Sequence, residues 1–117
     1  MINGFKQQTE ALSEYELNTL LPVIVRGLSN KFGKARAITN TAIVRAMKGA
    51  GYVLTEARLR KIINHIRING MVRWLIATSN GYYIATSVDE MRQYIESLRG
   101  REQAIAAVRK AMEGQLT

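Results

Sequence analysis

The apolar residues of this chain keep a helical spacing up to about Asn69. They alternate over Val72–Ala77 and Tyr82–Ala85, then return to helical spacing as far as about Glu113. That one change of period restricts the chain to a mainly α fold interrupted by a single β-hairpin. Before the interruption lie three helical stretches. Ser13 with Glu16 forms a capping box ahead of Leu17, Leu20, Leu21, Ile24 and Leu28, which share one helix face. Pro22 lies inside that stretch and predicts a kink or break near Leu20. A short extended piece at Ala37-Ile38 follows, and Thr39 or Asn40 then caps a second helix with Ile43, Ala46, Met47 and Ala50 inward, ended by Gly49 and Gly51. Thr55 caps a third helix, whose buried stripe is Leu59, Ile62, Ile63 and Ile66 and which Asn69-Gly70 stops.

In the hairpin, a three-residue loop Ser79-Asn80-Gly81 would put Tyr82 and Ile84 on one face with Val72, Trp74 and Ile76. A two-residue loop Asn80-Gly81 would put them on the opposite face from Trp74 and Ile76. The first gives one coherent core face and is preferred. Ser87 with Glu90 is a second capping box and opens the last helix. The expected organisation is a flexible segment over 1–12, a domain over 13–87 and a C-terminal helix over 88–117.

At 117 residues, 47% apolar and 22% charged, the chain can bury one core and no second. It has no Cys and one His, which excludes disulfides, thiol chemistry and the common zinc sites. No run of about 18 apolar residues spans a bilayer, and the N-terminus lacks the flank and apolar block of a secretory signal. A cytoplasmic protein without membrane contact is expected. No nucleotide-cradling glycine motif, catalytic triad or carboxylate pair is present. The expectation is therefore a protein that is not an enzyme, with no cofactor, no metal and no small-molecule substrate.

The net charge is +8, and it is not spread evenly. Residues 31–73 hold Lys31, Lys34, Arg36, Arg45, Lys48, Arg58, Arg60, Lys61, Arg67 and Arg73 against Glu56 alone, while residues 74–117 balance. Such clustering is the footprint of a polyanion. Two helices joined by a short turn, about Thr39–Gly49 and Thr55–Asn69, form the kind of pair whose second member enters the DNA major groove. Residues 14–86 resemble a winged helix-turn-helix domain, a three-helix core plus a wing. The chain is similar more narrowly to small winged-helix proteins of bacterial phages, prophages and mobile elements. The likeness is carried by Leu20-Leu21-Pro22, by Ile38–Met47 (ITNTAIVRAM), by Arg58–Val72 (RLRKIINHIRINGMV), by Gly81–Ala85 (GYYIA) and by Tyr94–Arg101 (YIESLRGR). It implies double-stranded DNA binding by a regulator or replication accessory, or alternatively a protein–protein adaptor in a nucleoprotein assembly.

On that reading Arg58, Lys61 and Asn64 are the candidates to reach base edges, because Arg and Asn pair bidentately with guanine and adenine. Lys34, Arg36, Thr39, Asn40, Thr41, Arg45, Arg60, Arg67, Arg73 and Tyr83 are the candidate phosphate contacts. Thr39, Asn40 and Thr41 can equally serve as plain helix caps. The wing tip, Thr78 to Asn80, carries no cation, which argues against deep minor-groove insertion. Trp74 and Tyr82 are expected in the core, and with most aromatics buried a single-strand reader is disfavoured. Along the last helix Met91, Tyr94, Leu98, Arg101, Ile105, Val108 and Met112 recur at alternating spacings of three and four. Leu98, Ile105, Val108 and Met112 form a seam that packs either on its own domain or on a second copy as a homodimer.

Overall fold

The computed structural model describes residues 9–116. A π-helical turn, Glu16–Leu20, runs directly into helix α1, Leu21–Leu28. A short 3₁₀ turn over Lys34–Arg36 precedes α2, Asn40–Gly49, and α3, Glu56–Ile68. Strands β1, Leu75–Thr78, and β2, Gly81–Ile84, form an antiparallel pair, and α4 covers Val88–Gly114. The chain separates into two compact units, one running to Thr86 and one from Ser87 onward. It is mainly helical, with a small two-stranded hairpin and a long C-terminal helix.

Local hydrogen bonding explains where the helices begin. Ser13 and Glu16 complete both halves of the capping box, the Ser13 amide donating to Glu16 Oε1 at 2.8 Å and the Glu16 amide to Ser13 Oγ at 3.1 Å. Thr39, Thr55 and Ser87 accept from the amides of Ala42, Arg58 and Glu90. The break expected at Pro22 takes the form of the π turn. Proline has no N–H for the carbonyl four residues back, and the Leu21 amide instead donates to Glu16 O, five residues back, just ahead of it. α2 and α3 end alike. Beyond α2 the Tyr52 amide donates to Met47 O, beyond α3 the Met71 amide donates to Ile66 O, and Gly51 and Gly70 hold the left-handed position between.

The core of the first unit gathers Leu20, Leu21, Ile24 and Leu28 of the first helix, Ile43, Val44 and Met47 of α2, and the whole expected stripe of α3. Leu17, Ala46 and Ala50, expected inward, are exposed, and Val44 takes the buried place on α2.

The hairpin departs from the preferred register. Its loop is the two-residue Ser79-Asn80, with Thr78 opposite Gly81, Ala77 opposite Tyr82 and Leu75 opposite Ile84. The core face is therefore Leu75, Ala77, Tyr82 and Ile84, and Ile76 and Tyr83 form a buried pair on the other face. Trp74 is the reason. Its φ of 64° is left-handed, so the alternation expected from Val72 is broken one residue before β1 starts, and Val72 and Leu75 both reach the core. A bulky residue held there costs about 1–3 kcal/mol, which the surrounding packing must offset.

β2 is held on both edges. Beyond β1 on one side, Ile38 exchanges two backbone hydrogen bonds with Tyr82 on the other (3.1 and 2.8 Å), and the Ile84 amide donates to Lys31 O at 2.7 Å. Gly81 makes this approach feasible. A Cβ there would lie 2.5 Å from the backbone carbonyl of Ile38.

Candidate nucleic-acid interface

The four buried residues of α3 define its inward direction, and at about 100° per residue the centre of its outer face is Ala57, Lys61, Asn64 and Ile68. Arg60 and Arg67 lie on one flank of that face and Arg58 on the other. The Arg60/Arg67 flank lies on the side of Tyr82, whose hydroxyl feels both guanidinium charges. Arg60 and Asn64 are exposed, and Lys61 and Arg67 half-buried.

Arg58 is a correction to the sequence reading. Its Nε donates to Glu16 Oε2 at 2.7 Å and its Nη2 to Glu16 Oε1 at 2.6 Å, a bidentate ion pair. The same guanidinium donates to the carbonyls of Glu10 and Ala11, both at 3.0 Å. The side chains are only 15% and 9% exposed. With its donors turned toward the N-terminal segment, Arg58 is a clamp between that segment, the first helix and α3, and not a base reader. The Arg58 hydrogen bond holds the Glu16 carboxyl below the usual carboxylate range against the opposing effect of burial, with Ser13 adding to the lowering. Arg58 in turn is raised by the Glu16 hydrogen bond. The clamp also revises the flexible segment expected over 1–12, because Glu10 and Ala11 are tied down; residues 1–8 lie outside the described residues.

The polar start of α2 is wired internally. Tyr82 Oη donates to Asn40 Oδ1 at 2.7 Å, Asn40 Nδ2 donates to Glu56 O at 3.1 Å, and Thr41 Oγ1 donates to Glu56 Oε1 at 3.0 Å. Thr39, Asn40 and Thr41 thus use their side chains as cap and braces, which joins the starts of α2 and α3 to the hairpin. Burial pushes the Tyr82 hydroxyl up, partly countered by Arg60 and Arg67. Tyr83, expected outside as a phosphate contact, is 5% exposed. The register change placed it on the covered face of the hairpin.

The remaining candidates are on the surface. Lys34 and Arg36 are exposed on the 3₁₀ turn, Arg45 on α2, and Arg73 ahead of β1 with its guanidinium 5.2 Å from the Trp74 ring centroid. Among the described residues, no carboxylate lies within ion-pairing distance of Lys34, Arg36, Arg45, Lys48, Arg60, Lys61 or Arg73. In α4 the surface ion pairs are internal, Arg99 with Glu96 and Arg109 with Glu113, both at 2.7 Å. Leu98, Ile105, Val108 and Met112 are exposed on that helix.

Between α1 and α2 lies an apolar cavity of about 150 Å³, whose lining includes Val23, Gly27, Ile43 and Met47 and no polar side chain. No group of three or more His, Cys, Asp or Glu side chains comes together among the described residues. No helix among them is long and apolar enough to cross a membrane. Comparison with known protein families, with curated proteins and with solved structures finds no match.

Proposed function

We propose that this chain is a winged helix-turn-helix protein that binds double-stranded DNA, with α3 in the major groove and the 3₁₀ turn, α2 and the start of the hairpin along the phosphates. The observation that carries the reading is the contrast in charge balance. The cations of residues 34–61 other than Arg58 have no carboxylate ion-pair partner among the described residues. Glu56 is the one acid of residues 31–73, whereas α4 matches its five cations with five carboxylates and pairs two of them, Arg99 and Arg109. Unpaired, clustered cations on a rigid helix pair are what a polyphosphate attracts.

Lys61 and Asn64, at the centre of the outer face, are the base-reading residues of this reading. Arg60 and Arg67 on the flank, with Lys34, Arg36, Arg45 and Arg73, address phosphates. The backbone amides at the start of α2 add donors for a phosphate oxygen. The protein would act by occupancy, as a regulator or replication accessory. It is read as neither an enzyme nor cofactor-dependent.

The exposed apolar seam of α4 favours an additional role, the pairing of two copies, which would place two modules on one duplex. The same seam would serve a protein–protein adaptor.

The test is fluorescence anisotropy with a 30-base-pair duplex across a salt series. Neutralisation of about six phosphates gives a slope of log K against log salt near −5. A flat salt dependence or no duplex binding at low salt rejects the reading. Light scattering on the same sample gives the mass, and Ile105→Glu should convert a dimer to monomer.

A further inference from the structure

A cleft of about 460 Å³ opens at the end of the hairpin, walled by Phe32, Arg73, Trp74, Ile84, Ala85 and Thr86. Its position follows from the backbone. The Ile84 amide donates to Lys31 O and the Gly33 amide to Ile84 O, which brings Phe32 beside β2 on one edge. The Ala85 amide donates to Trp74 O, which brings Trp74 beside it on the other. Phe32, level with Ile84, and Trp74, level with Ala85, therefore stand two interstrand spacings apart with an offset of one residue, roughly 10 Å at the backbone. A flat ring stacked between two others needs about 7–8 Å, two contacts of about 3.5–4 Å each.

Both aromatics are accessible at this cleft. Phe32 is 57% exposed, and Trp74, expected in the core, packs against it while staying only half-buried. The left-handed backbone of Trp74 takes its side chain out of the strand alternation, and strain of this kind collects at binding sites. The cleft has no acidic residue, and Arg73 over the indole supplies a cationic plane that itself stacks on bases. Lys31 and Lys34 flank Phe32 in the chain. Two accessible aromatic rings, a guanidinium plane and neighbouring lysines are the chemistry of a base held by its faces with its phosphates on cations.

We infer that this cleft binds an unpaired base of a single-stranded nucleic acid, at a site separate from the outer face of α3 that shares only Arg73 and the neighbouring Lys34 with the duplex reading.

Trp74 is the sole tryptophan, so its emission reports the cleft in the unmodified full chain. The titrants are a ten-nucleotide oligothymidylate, the matching oligouridylate, and heparin as a polyanion without bases; anisotropy of labelled oligonucleotide follows binding in parallel. The expected result is saturable quenching of Trp74 by one or both oligonucleotides and none by heparin, the two arms separating DNA from RNA. Phe32→Ala should weaken oligonucleotide binding about 5- to 150-fold, while Phe32→Tyr restores it. Duplex affinity and the unfolding midpoint should stay as in the wild type. The inference is overturned if neither oligonucleotide binds, if either binds with Trp74 emission unchanged, if heparin quenches equally, or if Phe32→Ala binds like the wild type. Loss of duplex binding with retained oligonucleotide quenching would refute only the duplex reading.

Discussion

Removal of Arg58 should unfold the first unit more readily than removal of any other cation. In Arg58→Ala the Glu16 carboxylate, 9% exposed, keeps its Ser13 amide donor but loses both guanidinium hydrogen bonds, and the carbonyls of Glu10 and Ala11 lose theirs. Leaving one member of such a pair uncompensated costs about 3–5 kcal/mol. The wide cleft beside Arg58 admits water to the site, so the lower end, about 3 kcal/mol, is expected. At about 4–8 °C per kcal/mol for a unit of this size, the midpoint should drop by at least about 12 °C.

The pH dependence has a definite sign. Glu16 has a depressed folded-state value, so its contribution is present above the value of an unfolded glutamate, about 4.3, and is lost as pH falls through the lower folded value. Without Arg58 the largest lowering cause is gone, and burial is opposed by the Ser13 hydrogen bonds alone. The deficit of Arg58→Ala should then be largest at pH 7 and shrink toward pH 4. Urea unfolding of wild type, Arg58→Ala, Glu16→Gln and the double variant at both pH values gives the coupling directly. A loss under about 1 kcal/mol at pH 7, or a deficit that grows on acidification, refutes the clamp. Weaker DNA binding without loss of stability would return Arg58 to the base-reading role.

Four other outcomes follow from the same geometry. Gly81→Ala should destabilise by more than about 2 kcal/mol in thermal unfolding, because an L residue at φ 118° is strained and its Cβ meets the Ile38 backbone. Tyr82 should ionise later than an ordinary tyrosine in an absorbance titration. Since the unfolded chain gives up that proton first, stability should fall as pH rises from about 10 toward the folded value, and Asn40→Ala, which removes the acceptor of the Tyr82 hydroxyl, should cost about 1–2 kcal/mol. Arg60→Ala should reduce the salt slope of duplex binding by about 0.9 with little change in the unfolding midpoint, as for the loss of one phosphate contact.

Sequence alone determined the features that rest on short-range chemistry. Ser13, Thr39, Thr55 and Ser87 start helices because their oxygens reach amides three residues ahead, and Gly51 and Gly70 end helices because they accept a left-handed backbone. The buried stripe of α3 was equally legible, since four apolar residues at helical spacing have only one common face. The charge cluster of residues 31–73 needs no structure at all.

Tertiary structure decided what depends on partners distant in the chain. Arg58 and Arg60 lie on opposite flanks of α3 about equally far from its buried stripe, and nothing local says which will meet Glu16, 42 residues away. The hairpin register turned on one residue, Trp74: a left-handed φ there is locally unfavourable, so the alternation of the flanking residues pointed to the other face for Tyr82, Tyr83 and Ile84. The pairing of Lys31–Gly33 with Ile84 likewise brought Phe32 beside β2 and close to Trp74, a juxtaposition that short-range preferences do not encode. Caps and stripes are set within one or two helical turns, whereas the clamp, the register and the aromatic cleft are set by which surfaces are left to meet once the core has closed.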